Sequence, residues 1–235
     1  MLHSVRLDPE LKDSWRWNGS NNGLFTTKSP TSLIDSKTIR AGPNAKETLR
    51  NNVVPKKVEI FIWRARRERI PARVELDKRG VDLHSVRCPL CDDDIESVVH
   101  SLLSCEKVNE VWSKVFKWWG LNGVSNYSFD ELLQGLPNLS FSDSGKYIWQ
   151  GVIWTACYLI WKNRNSKIFK NKCWSTPNAL GEIQLKSFEW VAKRSKRKSI
   201  EWHTWFHNPS CYLMQLDLIV CIVCDVIYDA NLASV

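Results

Sequence analysis

Residues 88–105 read CPLCDDDIESVVHSLLSC, and the spacing in this stretch decides how the rest of the chain is read. Cys88 and Cys91 share one tight turn, so two thiolates can grip an ion from the same side. The full pattern is Cys88-x2-Cys91-x8-His100-x4-Cys105. Zinc suits three sulfurs and one imidazole nitrogen, and four protein ligands leave no open position, which makes such an ion structural. Thiolate is too soft a donor for magnesium or calcium. The expectation is one zinc ion held by Cys88, Cys91, His100 and Cys105. The competing reading makes Cys91 and Cys105 small buried residues and His100 a polar core histidine; the added His and Cys at short spacing favour the metal. A His and a Cys five apart close the tetrahedron only if helical geometry loosens between them. His84 reads as a loop residue. Cys221 and Cys224 repeat the Cys-x2-Cys spacing, but among Ile, Val and Leu and without a second pair, so they read as apolar filler.

Outward from this stretch the pattern is helical. Upstream, Val58, Phe61, Ile62 and Ala65 repeat at helical spacing behind Pro55, with Arg64, Arg66, Arg67 and Arg69 crowding the other side. Pro71 opens a second helix through Val74 and Leu76, and Gly80 ends it as a left-handed cap. Downstream, Val108, Val111, Trp112, Val115, Phe116 and Trp119 form a strong stripe that Gly120 stops. A short helix near Phe129 to Leu136 leads to a long one whose buried face is Trp149, Val152, Ile153, Ala156 and Ile160. A last helix begins near Pro177 and runs through Phe188 and Val191. At the N-terminus, Trp15-Arg-Trp17 and Leu24 to Lys28 alternate apolar and polar residues. They read as a short hairpin around the turn Asn18 to Gly23. The expected fold class is mainly α: a small Cys3His zinc-knuckle helical domain, a helical C-terminal region, and a short N-terminal β-hairpin.

Composition bounds the function. The chain has 235 residues, 43% hydrophobic and 25% charged, an ordinary globular balance. Thirteen tryptophans should anchor a core. The formal charge of +8 favours an anionic partner. Met1 to Pro30 lacks the apolar run of an export signal, so an intracellular place, nuclear or cytoplasmic and not secreted, is expected. Under reducing conditions closely spaced cysteines point to metal rather than disulfides. No run reaches the roughly 18 apolar residues of a membrane span.

Taken together, Pro55 to Arg66, Arg69-Ile-Pro71, Leu76, Arg79-Gly80, Cys88-Pro-Leu-Cys91, Glu96, His100, Cys105 and Val111-Trp112 resemble the reverse-transcriptase zinc-binding domain. That domain lies downstream of the polymerase in plant non-LTR (LINE-type) retrotransposons. Trp15-Arg-Trp17 and Gly23 to Ser29 resemble its usual lead-in. The resemblance implies zinc ligation by the same four residues and descent from the C-terminal part of an RNA-directed DNA polymerase polyprotein. The Tyr-x-Asp-Asp signature of a polymerase palm does not occur. Asp92-Asp93-Asp94 is the only acidic run, and it lies inside the zinc loop. The chain also begins too late for fingers or palm and has no room for a ribonuclease H domain. An enzyme is therefore not expected of this chain alone, and no catalytic residue is assigned.

The organisation that follows is a lead-in over 1–54, the zinc-binding domain over 55–120, a basic, Trp-rich helical region over 121–209, and an aliphatic tail over 210–235 that reads as non-native. In the third segment Lys162, Arg164, Lys167, Lys170, Lys172, Lys186, Lys193, Arg194, Lys196, Arg197 and Lys198 face few acids, and Trp161, Trp174, Trp190, Trp202 and Trp205 are interleaved. Cations neutralise phosphates and aromatics stack on unpaired bases. Lys193, Arg194, Lys196, Arg197, Lys198, Trp202 and Trp205 are the expected contacts to RNA or single-stranded DNA. The bland alternative is a solvated helix face with its tryptophans turned to the core. A protein partner, and a retroelement remnant without selected function, both stay open; a membrane or small-molecule substrate is not expected.

Overall fold

The computed structural model describes residues 15–26, 29–30, 49–122, 124–125, 127–139, 141–194, 200–207 and 209–212. Two units are distinguished, one over Met1–Glu47 and one over Thr48–Val235. Within the first, Trp17 N–H donates to Gly23 O at 2.8 Å and Trp17 meets the Phe25 ring edge-on at 5.2 Å. Gly23 has φ +71°, and a Cβ there would strike the Arg16 side chain. The expected hairpin does not form among the described residues: the turn is made, but no strands pair beyond it. Trp15 in the first arm is fully exposed, and an isolated pair of such short arms is marginal in water.

The second unit is helical. Its elements are α1 (Lys56–Arg66), α2 (Arg73–Asp77), a π-turn (His100–Ser104), α3 (Glu106–Trp118), α4 (Phe129–Leu133), α5 (Asp143–Lys170), α6 (Thr176–Arg194), α7 (Trp202–His207) and a terminal 3₁₀ turn (Pro209–Tyr212). The sequence signals that start and stop them act as expected. Pro55 precedes α1 in an extended conformation, Gly80 and Gly120 take left-handed φ beyond α2 and α3, and Ser128 and Glu131 form a reciprocal capping box on α4.

At the centre lies α5. It is buried nearly all round from Ile148 to Trp161, which is why it lacks a clean amphipathic stripe. α1, α4 and α6 pack on it, and α6 also packs on α3. Gly151 allows the closest approach: a Cβ there would lie 2.4 Å from Val53 Cγ2. Beside it, Asn51 Nδ2 donates to Tyr147 O at 2.9 Å and Gln150 Oε1 at 3.0 Å, which locks the turn that leads into α1 against α5. One continuous hydrophobic core runs from Val53 to Tyr212. Trp119, Trp149 and Trp205 meet in it at ring separations of 5.1 and 5.4 Å.

Two arginines assigned to solvent by sequence are interior ion-pair partners. Arg66 holds Asp130 through two parallel hydrogen bonds of 2.9 and 3.0 Å, tying α1 to α4. Arg164 is 4% exposed and lies over the Trp161 ring at 4.6 Å. Its Nε donates to Glu96 Oε1 at 2.7 Å and its Nη2 to Oε2, while Arg73 N–H donates to the same carboxylate at 3.0 Å. Helical periodicity cannot identify such residues, because their partners are 64 and 68 positions away. Glu96 is fully buried, so removing its charge leaves a guanidinium without its counter-ion in the core. Glu96→Gln is expected to lower stability by about 3–5 kcal/mol. Urea denaturation checks this, and a loss below about 1 kcal/mol would show that the pair is dispensable.

Candidate metal centre

The knuckle is built by backbone before any ion is considered. Cys88 N–H donates to Asp94 O at 2.7 Å, Glu96 N–H to Val86 O at 2.8 Å, and Arg87 bridges antiparallel to Ile95. These bonds close residues 88–94 into a loop. Inside it, Asp92 N–H returns to Cys88 O at 2.9 Å and Leu90 N–H donates to Cys88 Sγ at 3.4 Å. Asp92 takes φ 62°, a left-handed turn that Asp tolerates better than most residues. The Arg87 guanidinium donates to Asp92 O at 3.2 Å, bracing the loop from outside.

The second pair of donors depends on the π-turn. On an α-helix, residues five apart point about 140° away from each other. Here Cys105 N–H donates to His100 O at 2.9 Å, five residues back. The wider turn brings His100 and Cys105 to one side, which is the loosening that their spacing requires. Trp112 Nε1 donates to Leu102 O at 2.9 Å and so fixes the π-turn on α3. Ser97 accepts His100 N–H at 3.0 Å and Ser101 Oγ bonds back to Ser97 O at 2.7 Å, fixing its entry.

The four expected ligands come together. Their donor atoms all lie within 4.8 Å of one another, with Cys88, His100 and Cys105 buried. Cys88 Sγ and Cys105 Sγ are 3.9 Å apart, and Cys91 Sγ and His100 Nε2 are 3.4 Å apart. Zinc–sulfur bonds of about 2.3 Å and zinc–nitrogen bonds of about 2.0–2.1 Å imply tetrahedral edges of about 3.8 and 3.6 Å. The arrangement is compatible with one zinc ion, with Nε2 as the histidine donor. His100 Nδ1 then faces Asp94 Oδ2 at 3.7 Å, where a carboxylate can orient the ring.

Electrostatics distinguishes the two buried sulfurs. Sharing a hydrogen bond with Cys105, and burial, push the Cys88 thiol up. The same hydrogen bond from Cys88 holds Cys105 below the ordinary thiol range, aided by the Val108 and Lys107 N–H groups of the α3 N-terminus. His84 is exposed in the preceding loop, Cys157 is buried in α5, and Cys221 and Cys224 lie outside the described residues.

Four of the seven expected nucleic-acid contacts lie among the described residues. Lys193 and Arg194 are exposed at the end of α6; Lys196, Arg197 and Lys198 lie outside the described residues. Trp202 is 41% exposed, with its ring on Phe188 at 5.1 Å. Trp205 corrects the expectation. It is fully buried, its indole N–H donates to Gln184 O at 3.2 Å, and no base can reach it. A tryptophan beside a basic run is compatible with either place, and only the packing of α7 on α6 decides.

Residues 25–112 match the family described as zinc-binding in reverse transcriptase, a segment that contains all four donors. No curated protein and no solved structure matches the chain. Sequence, geometry and family agree on a zinc-binding module. Metal binding and folding should be coupled, since the unfolded chain has no preformed site. Cys88→Ser and Cys105→Ser should each abolish stoichiometric zinc in elemental analysis and reduce helicity. A fully helical wild-type protein that carries no zinc would falsify the site.

Proposed function

We propose that the chain is a non-catalytic, zinc-stabilised nucleic-acid-binding module derived from the C-terminal part of a retrotransposon reverse-transcriptase polyprotein, of the plant LINE type. The observation that carries this reading is the closed Cys3His cluster within the matched segment. Four protein donors leave no position for a reacting water or substrate, so the metal holds the fold and does no chemistry. The charge of +8 supplies the attraction to a polyanion. An intracellular place fits, since reducing surroundings keep cysteines free of disulfides and open to a metal. Among the described residues no helix is long and apolar enough to cross a membrane.

Phosphoryl transfer would need carboxylates that hold two metal ions. Asp92, Asp93 and Asp94 lie exposed on the knuckle rim, and Asp94 faces a zinc ligand. Purified protein should not extend a primer on RNA with magnesium or manganese. Incorporation that survives replacement of all three aspartates would reveal an active site elsewhere.

A protein-docking role is the second reading. It is favoured by Trp202 and Phe206, both 41% exposed, whose rings lie 5.5 Å apart on α7. Salt dependence separates the two. Changing Lys193, Arg194, Lys196, Arg197 and Lys198 to Ala should flatten the slope of log affinity against log salt by up to about 3.5 on single-stranded RNA. Affinity should fall for every sequence, since phosphate contacts carry little base information. A folded variant with an unchanged slope would move protein docking ahead.

A further inference from the structure

We infer that the outer face of α1 is a docking surface for single-stranded nucleic acid, with Trp63 as the stacking platform and Lys56, Lys57 and Arg64 as phosphate contacts. This deepens the nucleic-acid reading above and rests on it. α1 divides into two faces. Val58, Phe61, Ile62 and Ala65 are buried against the core and satisfy the helix's need for burial. Lys56, Ile60, Trp63 and Arg64 recur at helical spacing on the opposite side, with Lys57 beside them, and all five are exposed. Ile60 is 58% and Trp63 39% exposed, a large apolar pair that no core contact requires.

Three features of this face fit a single strand. The Arg67 guanidinium lies over the Trp63 ring at 4.7 Å, which steadies the indole and sets a positive charge beside it. A nucleotide offers the complement, a flat base beside an anionic phosphate, and only an unpaired base offers its face for stacking. Second, Lys56 and Lys57 stand in the first turn, where the helix dipole is already positive. Cations there oppose helix stability, and an anion at that end relieves both charges and unpaired N–H groups. Third, acids are few. Glu59 has a side chain only 13% exposed and is engaged by Lys56 at 2.8 Å, and Glu68 lies beyond the helix end. Cations at both ends of α1 are about 12 Å apart, with the apolar pair between them.

The test uses the full zinc-loaded chain and a fluorescent oligouridylate, with anisotropy read across salt concentrations. Trp63→Ala should weaken binding about 5- to 150-fold with no change in salt slope, and Trp63→Phe should restore most of the loss. Changing Lys56, Lys57 and Arg64 together to Ala should flatten the slope by up to about 2. Helicity and zinc content should stay at wild-type values, because every altered side chain is exposed. If the triple variant loses helicity, Lys56→Gln with Lys57→Gln reads two of the contacts, with a flattening of about 1.4. A wild-type chain that binds no RNA overturns the nucleic-acid reading itself. Binding that survives every α1 variant but falls in the variant of residues 193–198 leaves that reading in place and overturns this surface. Self-association abolished by Trp63→Ala, with RNA affinity unchanged, assigns the face to a second copy of the chain and also overturns it.

Discussion

Cys105 N–H bonding back to His100 O, five residues away, is the constraint on which the rest of the zinc-binding unit depends. That single wide turn places an imidazole and a thiolate on the same side, opposite the pair already fixed by the Cys88–Cys91 loop. An ordinary α-helical turn would send one of them into the solvent or the core. The turn in turn determines where α3 begins, since Cys105 is its N-cap residue and its sulfur lies at the positive end of that helix. The local geometry therefore serves two ends at once. It completes the ligand set, and it aims the amphipathic stripe of α3 at the interior.

The knuckle is not a self-contained ornament on the helices that follow it. Glu96 leaves the metal loop and enters the core, where Arg164 of α5 receives it and Trp161 covers the guanidinium. Lys167 of the same helix reaches Leu90 O within the loop. A buried ion pair gains little net stability over an apolar pair of the same shape, but breaking it by removing one partner is costly. Its effect here is on register. α5 can slide or rotate against the metal loop only by separating Glu96 from Arg164 or leaving the arginine uncompensated. The metal loop and the longest helix are joined directly through those two side chains.

Tryptophan use divides along the same lines. Trp112, Trp119, Trp149, Trp154 and Trp205 are fully buried and form much of the interior. Trp63, Trp202 and Trp15 reach solvent. An indole in the core contributes area and shape; an indole exposed on a helix face leaves its ring open to stacking. The chemistry of the residue is identical in the two places, so composition alone cannot assign a tryptophan-rich basic segment to a binding surface.

What the sequence determined by itself was whatever depends on short spacing. The ligand set is legible because four donors within 18 positions admit few other uses, and the helices are legible because burial on one face imposes a 3.6-residue repeat. The stripe of α3 and its stop at Gly120 are of this kind. Three things were decided only by tertiary structure. Arg66 and Arg164 read as surface cations until Asp130 and Glu96 are brought to them across the fold. Trp205 reads as a possible stacking residue until α7 packs it onto α6 and into the core. The N-terminal alternation reads as a hairpin, yet among the described residues only its turn forms. For the two arginines and Trp205 the deciding partner lies far along the chain, and local pattern carries no information about it.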